Sequence, residues 1–183
     1  MARVPYLDKK DLAPEHQDLL ARNINLFRAL VHSPNAARRL QGVGQYIRHQ
    51  SRLDPRLREM AILQVGYLTR SRYEYSHHIK ISRDFGVSEA DLRELIEESD
   101  GQPTTLDPLV RAALRAAREM TLDLAVSDET FAELEKHLDA ECLMDLIITI
   151  AYYNAVVRLL ATLEIDVEDD YLPYLEQFPL PQD

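Results

Sequence analysis

The feature that most constrains the fold of this chain is a long, mostly apolar run at residues 143–163. A run of that length is long enough either to span a membrane as a helix or to form the buried helix of a bundle. Asp145, Asn154 and Arg158 interrupt it, and ionisable groups are costly in lipid. We therefore expect a buried helix of a soluble helical bundle.

Helical periodicity and capping signals recur along the rest of the chain, and no segment alternates cleanly over a strand length. Apolar residues recur at spacings of three and four from Pro14 to Val31, which predicts one amphipathic helix there. Capping residues and prolines predict further helices over about 35–49, 55–68, 72–85, from Ser88 to the loop at 101–105, 108–124, 127–138 and from about 140 onward. The expected fold is an all-α bundle of about eight helices in a single domain, residues 1–183.

Composition narrows the classes of partner. The 183 residues carry a formal net charge of −10, so the average surface field repels phosphate backbones and anionic lipid headgroups. The start of the chain has no apolar signal region, and its single cysteine, Cys142, cannot form an intrachain disulfide. We expect a cytoplasmic protein that binds neither nucleic acid nor membrane.

One constellation of polar residues carries chemical interest. Glu59, Ser71, Glu74 and His78 have the spacing E-x11-S-x2-E-x3-H. Glu74 and His78 are four apart and share a helix face, where a carboxylate orients an imidazole and raises its pKa. Glu59 lies in an apolar stretch and needs a partner to offset its desolvation. If Glu59 lies on one helix and His78 starts the next, the groups converge as acid–base chemistry requires.

Structural alternatives stay open for each of these residues. Ser71 and Glu74 have the S-x-x-E form of a capping box, which by itself explains both. His78 then becomes a satisfied polar residue at the helix surface. Glu59 either lies on the solvated edge of its helix or pairs with one of three arginines, which are Arg56, Arg58 and Arg72.

The histidines and the cysteine do not form a metal motif. His77 and His78 are adjacent, so on a helix they point about 100° apart and do not bind one metal together. The chain has neither H-E-x-x-H nor C-x-x-C. We therefore expect no metal.

Two further regions are ambiguous. Arg158 in the long apolar helix either binds a carboxylate of a ligand or pairs with an acid such as Asp145 or Glu59. The C-terminal tail, residues 167–183, is either a packed arm or disordered. Its large apolar groups favour packing on the body or on a neighbouring subunit, and they are Tyr171, Leu172, Tyr174, Leu175 and Phe178.

Two segments resemble a known family. Residues 51–92, SRLDPRLREMAILQVGYLTRSRYEYSHHIKISRDFGVSEADL, look like the core of the carboxymuconolactone decarboxylase family in the AhpD-like superfamily, and residues 147–166 resemble its long helix. The resemblance covers about residues 36–166. It implies an AhpD-like helical bundle that assembles as a homo-oligomer, a trimer or hexamer, with its site near subunit contacts.

The resemblance also implies a site. The alkylhydroperoxidase branch uses E-x11-C-x-x-C-x3-H, and here Ser71 and Glu74 stand where both cysteines belong, so peroxiredoxin activity is expected at family level only. The decarboxylase branch is a lyase that needs no cofactor. Carried over, His78 is the general acid–base and Glu59 and Glu74 orient it. Substrate-binding residues are then Ser71, Tyr73, His77, Tyr153 and Arg158.

Three functions remain open at this point. The first is a cofactor-independent acid–base enzyme that acts on a small carboxylated lactone or organic acid. The second is an alkylhydroperoxidase-type activity, which a requirement for a thiol would identify. The third is a noncatalytic oligomeric binding module, whose sign would be a closed polar cluster with no cavity reaching His78.

Overall fold

The computed structural model describes residues 2–181, and these residues form helices and connecting segments without a strand. The α-helices are α1 Asn25–Leu30, α2 Pro34–His49, α3 Pro55–Leu68, α4 Arg72–Arg83, α5 Glu89–Ser99, α6 Pro108–Leu122, α7 Asp128–Glu135, α8 Ala140–Leu163 and α9 Leu172–Gln177. Short 3-10 helices span Lys9–Asp11, Pro14–Leu20 and Asp169–Tyr171. The expected all-α class is confirmed, and the helix count is close to the one expected.

Capping side chains start most of the helices where the sequence predicts it. The Asp54 carboxylate accepts a hydrogen bond from the Leu57 N–H at 2.8 Å, and Ser71 accepts one from the Glu74 N–H at 3.4 Å. The Ser71 N–H donates to the Gly66 carbonyl instead of to Glu74, so the predicted capping box is only half formed. The other predicted caps are confirmed at Ser88, Asp107 and Ser127.

The single amphipathic helix predicted from Pro14 to Val31 is wrong. A 3-10 helix ends at Leu20 and α1 begins only at Asn25, because Ile24 is extended with φ −96° and ψ 150°. The Asn25 N–H donates to Glu168 at 2.7 Å. This contact with the C-terminal segment replaces a helical hydrogen bond, and local periodicity carries no information about a partner so distant in sequence.

Helix α3 is the centre of the fold, since every residue from Leu57 to Tyr67 is buried. It packs on α4, α6 and α8. Gly66 permits the close approach of α4, because a Cβ there would lie 3.1 Å from the Tyr75 backbone nitrogen. Helices α3 and α4 therefore form a tight hairpin, which sets the distance between polar groups on the two helices.

Helix α8 is long and apolar enough to cross a membrane by length and composition alone, and 44% of its most apolar window is buried inside the bundle. Its polar residues have partners within the fold. Asp145 accepts hydrogen bonds from Tyr46 at 3.1 Å and Ser51 at 2.5 Å, and the Asn154 amide donates to Thr121 at 3.0 Å. These contacts agree with the expected bundle helix.

The C-terminal segment packs on the body of the protein, as its apolar residues favour. Helix α9 and the preceding 3-10 helix contact α4. Phe178 is 2% exposed and joins the main core cluster. The last two residues of the predicted tail, 182–183, lie outside the described residues.

Candidate active site

His78 lies between two carboxylates that reach it from different helices. Its Nδ1 is 2.7 Å from an oxygen of Glu59 on α3, and its Nε2 is 3.0 Å from an oxygen of Glu74, one turn earlier on α4. All three side chains are buried, with at most 4% of each residue exposed. The convergence predicted from the sequence spacing is therefore present in the structure.

The two carboxylates decide the charge of His78. Burial alone lowers the pKa of His78, but the charges of Glu59 and Glu74 outweigh burial and raise the pKa to about 9. Burial also opposes ionisation of Glu59, yet His78 and then Arg58 hold the pKa of Glu59 below its ordinary value. At neutral pH His78 is an imidazolium whose two N–H groups donate to the two carboxylates.

Arg58 completes the charge balance of this cluster. Its Nε and Nη2 both lie 3.2 Å from Glu59 Oε1, and its guanidinium lies over the Phe85 ring, 4.5 Å from the centroid. Of the three candidate partners Arg56, Arg58 and Arg72, Arg58 pairs with Glu59. Arg56 instead pairs with Asp91 at 2.5 Å.

A cavity of about 50 Å³ reaches the outer side of this cluster. His78 and Glu74 line it, whereas Glu59 lies behind them, so the Nε2 side of the imidazole faces the cavity and the Nδ1 side does not. The enclosed part is enough for a few water molecules, and the cavity opens toward solvent, so a ligand of lactone size must extend through the opening. The remaining lining comes from the 22–27 segment, α2, α4 and α8, and comprises Arg22, Ile24, Leu26, Phe27, Gly44, Arg48, Tyr73, His77, Ile81, Tyr152, Tyr153 and Val156.

Tyr153 is the aromatic wall beside His78. The two rings meet edge to face, with centroids 5.0 Å apart. Burial, and then the charges of Glu74 and Glu59, raise the pKa of Tyr153 well above its ordinary value, so it stays a neutral phenol. Tyr153 lines the cavity, and within residues 2–181 no hydrogen bond joins its hydroxyl to another residue, so the hydroxyl keeps its capacity to donate a hydrogen bond.

Arg22 and Arg48 line the same cavity, and the sequence analysis missed both. Arg22 follows the 3-10 helix Pro14–Leu20, and Arg48 lies in the last turn of α2. Gly44 helps to place Arg48, because a Cβ at Gly44 would lie 2.7 Å from the Tyr152 hydroxyl oxygen; glycine thus lets α8 approach α2. No local sequence pattern identifies Arg22.

His77 faces a different set of partners from its neighbour His78. Its ring is stacked between Tyr73 and Tyr171, with centroids 4.0 and 3.6 Å away. Its Nδ1–H donates to the Tyr73 carbonyl at 2.8 Å, and its Nε2 lies 3.0 Å from an oxygen of Glu168. His77 and Tyr73, which the sequence analysis expects to bind substrate, line the cavity, and both also anchor the C-terminal segment.

Two residues predicted to bind substrate do not reach this cavity. Ser71 caps α4 and lines a separate groove of about 450 Å³. This groove lies between the start of α4, the end of α8 and the start of the C-terminal tail. Arg158 is exposed on α8 and donates to the Asn154 carbonyl at 2.5 Å. Arg158 pairs with neither Asp145 nor Glu59, because the face of α8 that carries it points away from the core.

The cysteine of this chain lies away from the cavity. Cys142 is in the first turn of α8 and does not line the cavity, and burial, then Asp139, raises the pKa of its thiol. Within residues 2–181 no group of three or more histidine, cysteine or acidic side chains is arranged to hold a metal ion. The cavity is lined by side chains that can carry a charge or donate a hydrogen bond, among them His77, His78, Glu74, Tyr153, Arg22 and Arg48.

Comparisons with known proteins agree with the fold and locate the family match. Residues 34–119 match the model of the carboxymuconolactone decarboxylase family. No curated protein sequence matches the chain.

Solved structures resemble almost the whole chain. An alkylhydroperoxidase AhpD core protein, an uncharacterized peroxidase-related protein from Ralstonia eutropha, has a TM-score of 0.77 at 19% identity, with 95% of both chains covered. The debrominase Bmp8 in complex with 2,3,4-tribromopyrrole has a TM-score of 0.80 at 17% identity, covering 97% of this chain and 100% of its own. A peroxidase-related protein from a Silicibacter species has a TM-score of 0.73 at 17% identity, covering 93% and 95%.

At these identities the structural likenesses establish the fold alone. The match at residues 34–119 includes Glu59, Glu74 and His78, the three residues of the buried cluster. The resemblance expected from the sequence is thereby confirmed: residues 34–119 match the model of the carboxymuconolactone decarboxylase family, and the chain has an AhpD-like helical fold.

Proposed function

We propose that this protein is a cofactor-independent enzyme that delivers a proton to a small carboxylated lactone or organic acid as it loses carbon dioxide. One observation carries the proposal: His78, with a pKa raised to about 9, lies on the wall of a cavity that also exposes Glu74 and Tyr153. A group that is protonated at neutral pH and lines a cavity is suited to general acid catalysis.

The reaction needs no redox partner. When the carbon–carboxylate bond breaks, its electron pair passes into the unsaturated lactone, and the lactone carbonyl oxygen takes up the negative charge. A proton from the Nε2 side of His78 then goes to carbon, and solvent restores the proton on His78. In this proposal the Tyr153 hydroxyl donates a hydrogen bond to the developing oxyanion.

The carboxylates have separate roles in this proposal. Glu59 lies behind the imidazole and is a positioning residue, which fixes the ring through Nδ1 and keeps it protonated. Glu74 accepts from Nε2 at 3.0 Å and lines the cavity, so it shares the proton that is transferred.

Two competing functions have less support. A noncatalytic module predicts a closed polar cluster without an adjoining cavity, but His78 and Glu74 both line a cavity. A thiol peroxidase requires a reactive cysteine, whereas Ser71 and Glu74 occupy the cysteine positions of the motif and Cys142 lies at the start of α8.

The proposal is tested by measuring carbon dioxide release from a panel of unsaturated carboxylated lactones. Wild-type protein is compared with His78→Gln, and with His137→Gln as a control, because His137 is exposed on the protein surface away from the cavity. We expect turnover by the wild type and the control and its loss in His78→Gln, with all three equally helical by circular dichroism. Undiminished turnover by His78→Gln would rule out the proposed role.

A further inference from the structure

Arg22 and Arg48 come from distant parts of the sequence yet meet at one cavity. Arg22 lies in the break between the 3-10 helix Pro14–Leu20 and α1, and Arg48 in the last turn of α2. Both are partly buried, and both line the cavity beside His78 and Glu74. Residue 22 also lies outside the family match at 34–119, so the family pattern does not account for it.

Neither guanidinium has a carboxylate within ion-pair distance in the described part of the chain. The Arg48 Nε donates to the Gly44 carbonyl at 3.2 Å, and Arg22 lies 5.9 Å from the centroid of the Phe27 ring. Other arginines of the same protein are paired with carboxylates, namely Arg38 with Asp18, Arg56 with Asp91 and Arg118 with Glu98.

Leaving these two cations unpaired has an electrostatic cost. Burial, and then the positive charge of Arg48, lower the pKa of Arg22. Two like charges at one cavity repel each other, and partly buried charges ordinarily find a partner of opposite sign. The cost falls if an anion binds between them.

The local charge has the opposite sign to that of the whole chain. The cavity and the groups directly behind its walls hold four cationic groups and three carboxylates, which leaves an excess of one positive charge. The four cationic groups are Arg22, Arg48, Arg58 and His78, and the carboxylates are Glu59, Glu74 and Glu168. In a chain with a net charge of −10, such a cavity concentrates small anions.

We propose that Arg22 and Arg48 together form the binding site for a carboxylate of the substrate, and that this pair selects acids over neutral analogues. The proposal rests on the proposed function and adds its specificity residues. The carboxylate bound there is one that persists through the reaction. Two guanidinium groups on a departing carboxylate would stabilise the ground state more than the transition state, because that group loses its charge as the bond breaks.

The test separates binding from turnover. The two probes are a saturated γ-lactone that bears a carboxylate and the neutral amide of the same lactone. The saturated ring lacks the unsaturation that the loss of carbon dioxide requires, so the probe binds without turnover. Affinities are measured by isothermal titration calorimetry on wild type, Arg22→Gln, Arg48→Gln, the double variant and His78→Gln. The matched control is Arg39→Gln, an exposed position on the same helix as Arg48.

We expect the wild type to bind the carboxylate at least about tenfold more tightly than the amide, because charge-assisted hydrogen bonds are the strong ones. Each single arginine variant should lose most of that preference, and the double variant all of it, whereas Arg39→Gln keeps it. His78→Gln should keep a preference for the carboxylate while losing turnover, which distinguishes the anion site from the acid–base site.

Two results would overturn the inference. One is an unchanged preference in the double arginine variant, and the other is a wild type that does not favour the carboxylate. If either occurs while the wild type still releases carbon dioxide from its substrate, the anion site is wrong and the proposed function stands. Arg22→Lys and Arg48→Lys, which keep the charge and lose the two-pronged geometry, replace any glutamine variant that does not fold.

Discussion

His77 and His78 are neighbours on one helix, and the structure gives them opposite surroundings. His78 faces α3 and lies between the carboxylates of Glu59 and Glu74. His77 faces the C-terminal segment, where two tyrosine rings sandwich it and Glu168 lies 3.0 Å away. Successive helical residues point about 100° apart, so one position in the sequence separates the proposed acid–base group from an anchor of the C-terminal segment.

The comparison shows that a histidine beside a carboxylate is not by itself evidence of catalysis. Both imidazoles have a glutamate at hydrogen-bond distance and both line the cavity. His78 differs because two carboxylates share it and because Arg58 balances the one behind it. His77 differs because its neighbour Glu168 also accepts hydrogen bonds from the Asn25 N–H and the Tyr73 hydroxyl. His77 is therefore part of the contact between the C-terminal segment and the body of the protein.

The largest expected effect separates the two histidines by activity. His78→Gln should lower turnover by roughly 10²- to 10⁴-fold, since that is the usual contribution of a positioned general acid. His77→Gln should keep turnover within about tenfold, because its loss disturbs the cavity edge and removes no group that takes part in the proposed proton transfer. Steady-state rates on the same substrate measure both, and equal losses in the two variants would abolish the distinction.

The next effect compares the two glutamates by stability. Glu59→Gln should lower the free energy of unfolding by about 3 kcal/mol or more, because it leaves Arg58 and His78 with too little negative charge in the buried core. Urea unfolding monitored by circular dichroism measures this. A change below about 1 kcal/mol would show that the Glu59 carboxylate is not the buried partner described.

The pH dependence of stability tests the charge of His78. The folded-state pKa of His78 is about 9, above the ordinary 6.5. Its contribution to the free energy of unfolding is therefore fully present below pH 6.5 and is lost as the pH rises through about 9. Over that window stability should fall by about 3 kcal/mol, since one pKa unit is about 1.4 kcal/mol. Unfolding titrations at several pH values should show this slope in the wild type and a flatter one in His78→Gln; identical slopes would contradict it.

The smallest effect concerns the anchor. Glu168→Gln should lower the free energy of unfolding by about 1 kcal/mol. The effect is small because the Glu168 side chain is partly solvated and its partners are two neutral donors and the imidazole of His77. It should also speed proteolysis within the C-terminal segment, whereas Glu176→Gln, exposed on α9, should leave both unchanged. Resistance to protease equal to that of the wild type would mean that stacking of Tyr171 on His77 holds the segment without Glu168.

The hairpin and its buried cluster were predictable because their signals are local. Asp54 and Ser71 mark the starts of α3 and α4, and these two caps fix Glu59 and His78 on facing helices. The charge of Glu59 within an apolar stretch required a partner, and only the choice among His78 and the arginines was left open. Helical spacing alone placed Glu74 on the face of α4 that carries His78.

The rest of the site depends on contacts that periodicity does not encode. Arg158 interrupts an apolar helix, which suggested a buried role, but it lies on the exposed face of α8. Arg22 reaches the cavity only because the chain breaks before Asn25, and that break depends on Glu168 near the other end of the sequence. Arg48 depends on the close approach of α8 at Gly44.

The protonation state of His78 is the most direct test of the whole account. In protein labelled with nitrogen-15 at histidine, we predict imidazolium nitrogen shifts for His78 at pH 7.5, with protons on both ring nitrogens and a titration midpoint near 9. His78→Gln assigns the signals by their disappearance, and His77→Gln leaves them in place. A neutral imidazole at pH 7.5 that titrates near 6.5 would contradict the ionised cluster and, with it, the acid on which the proposed reaction depends.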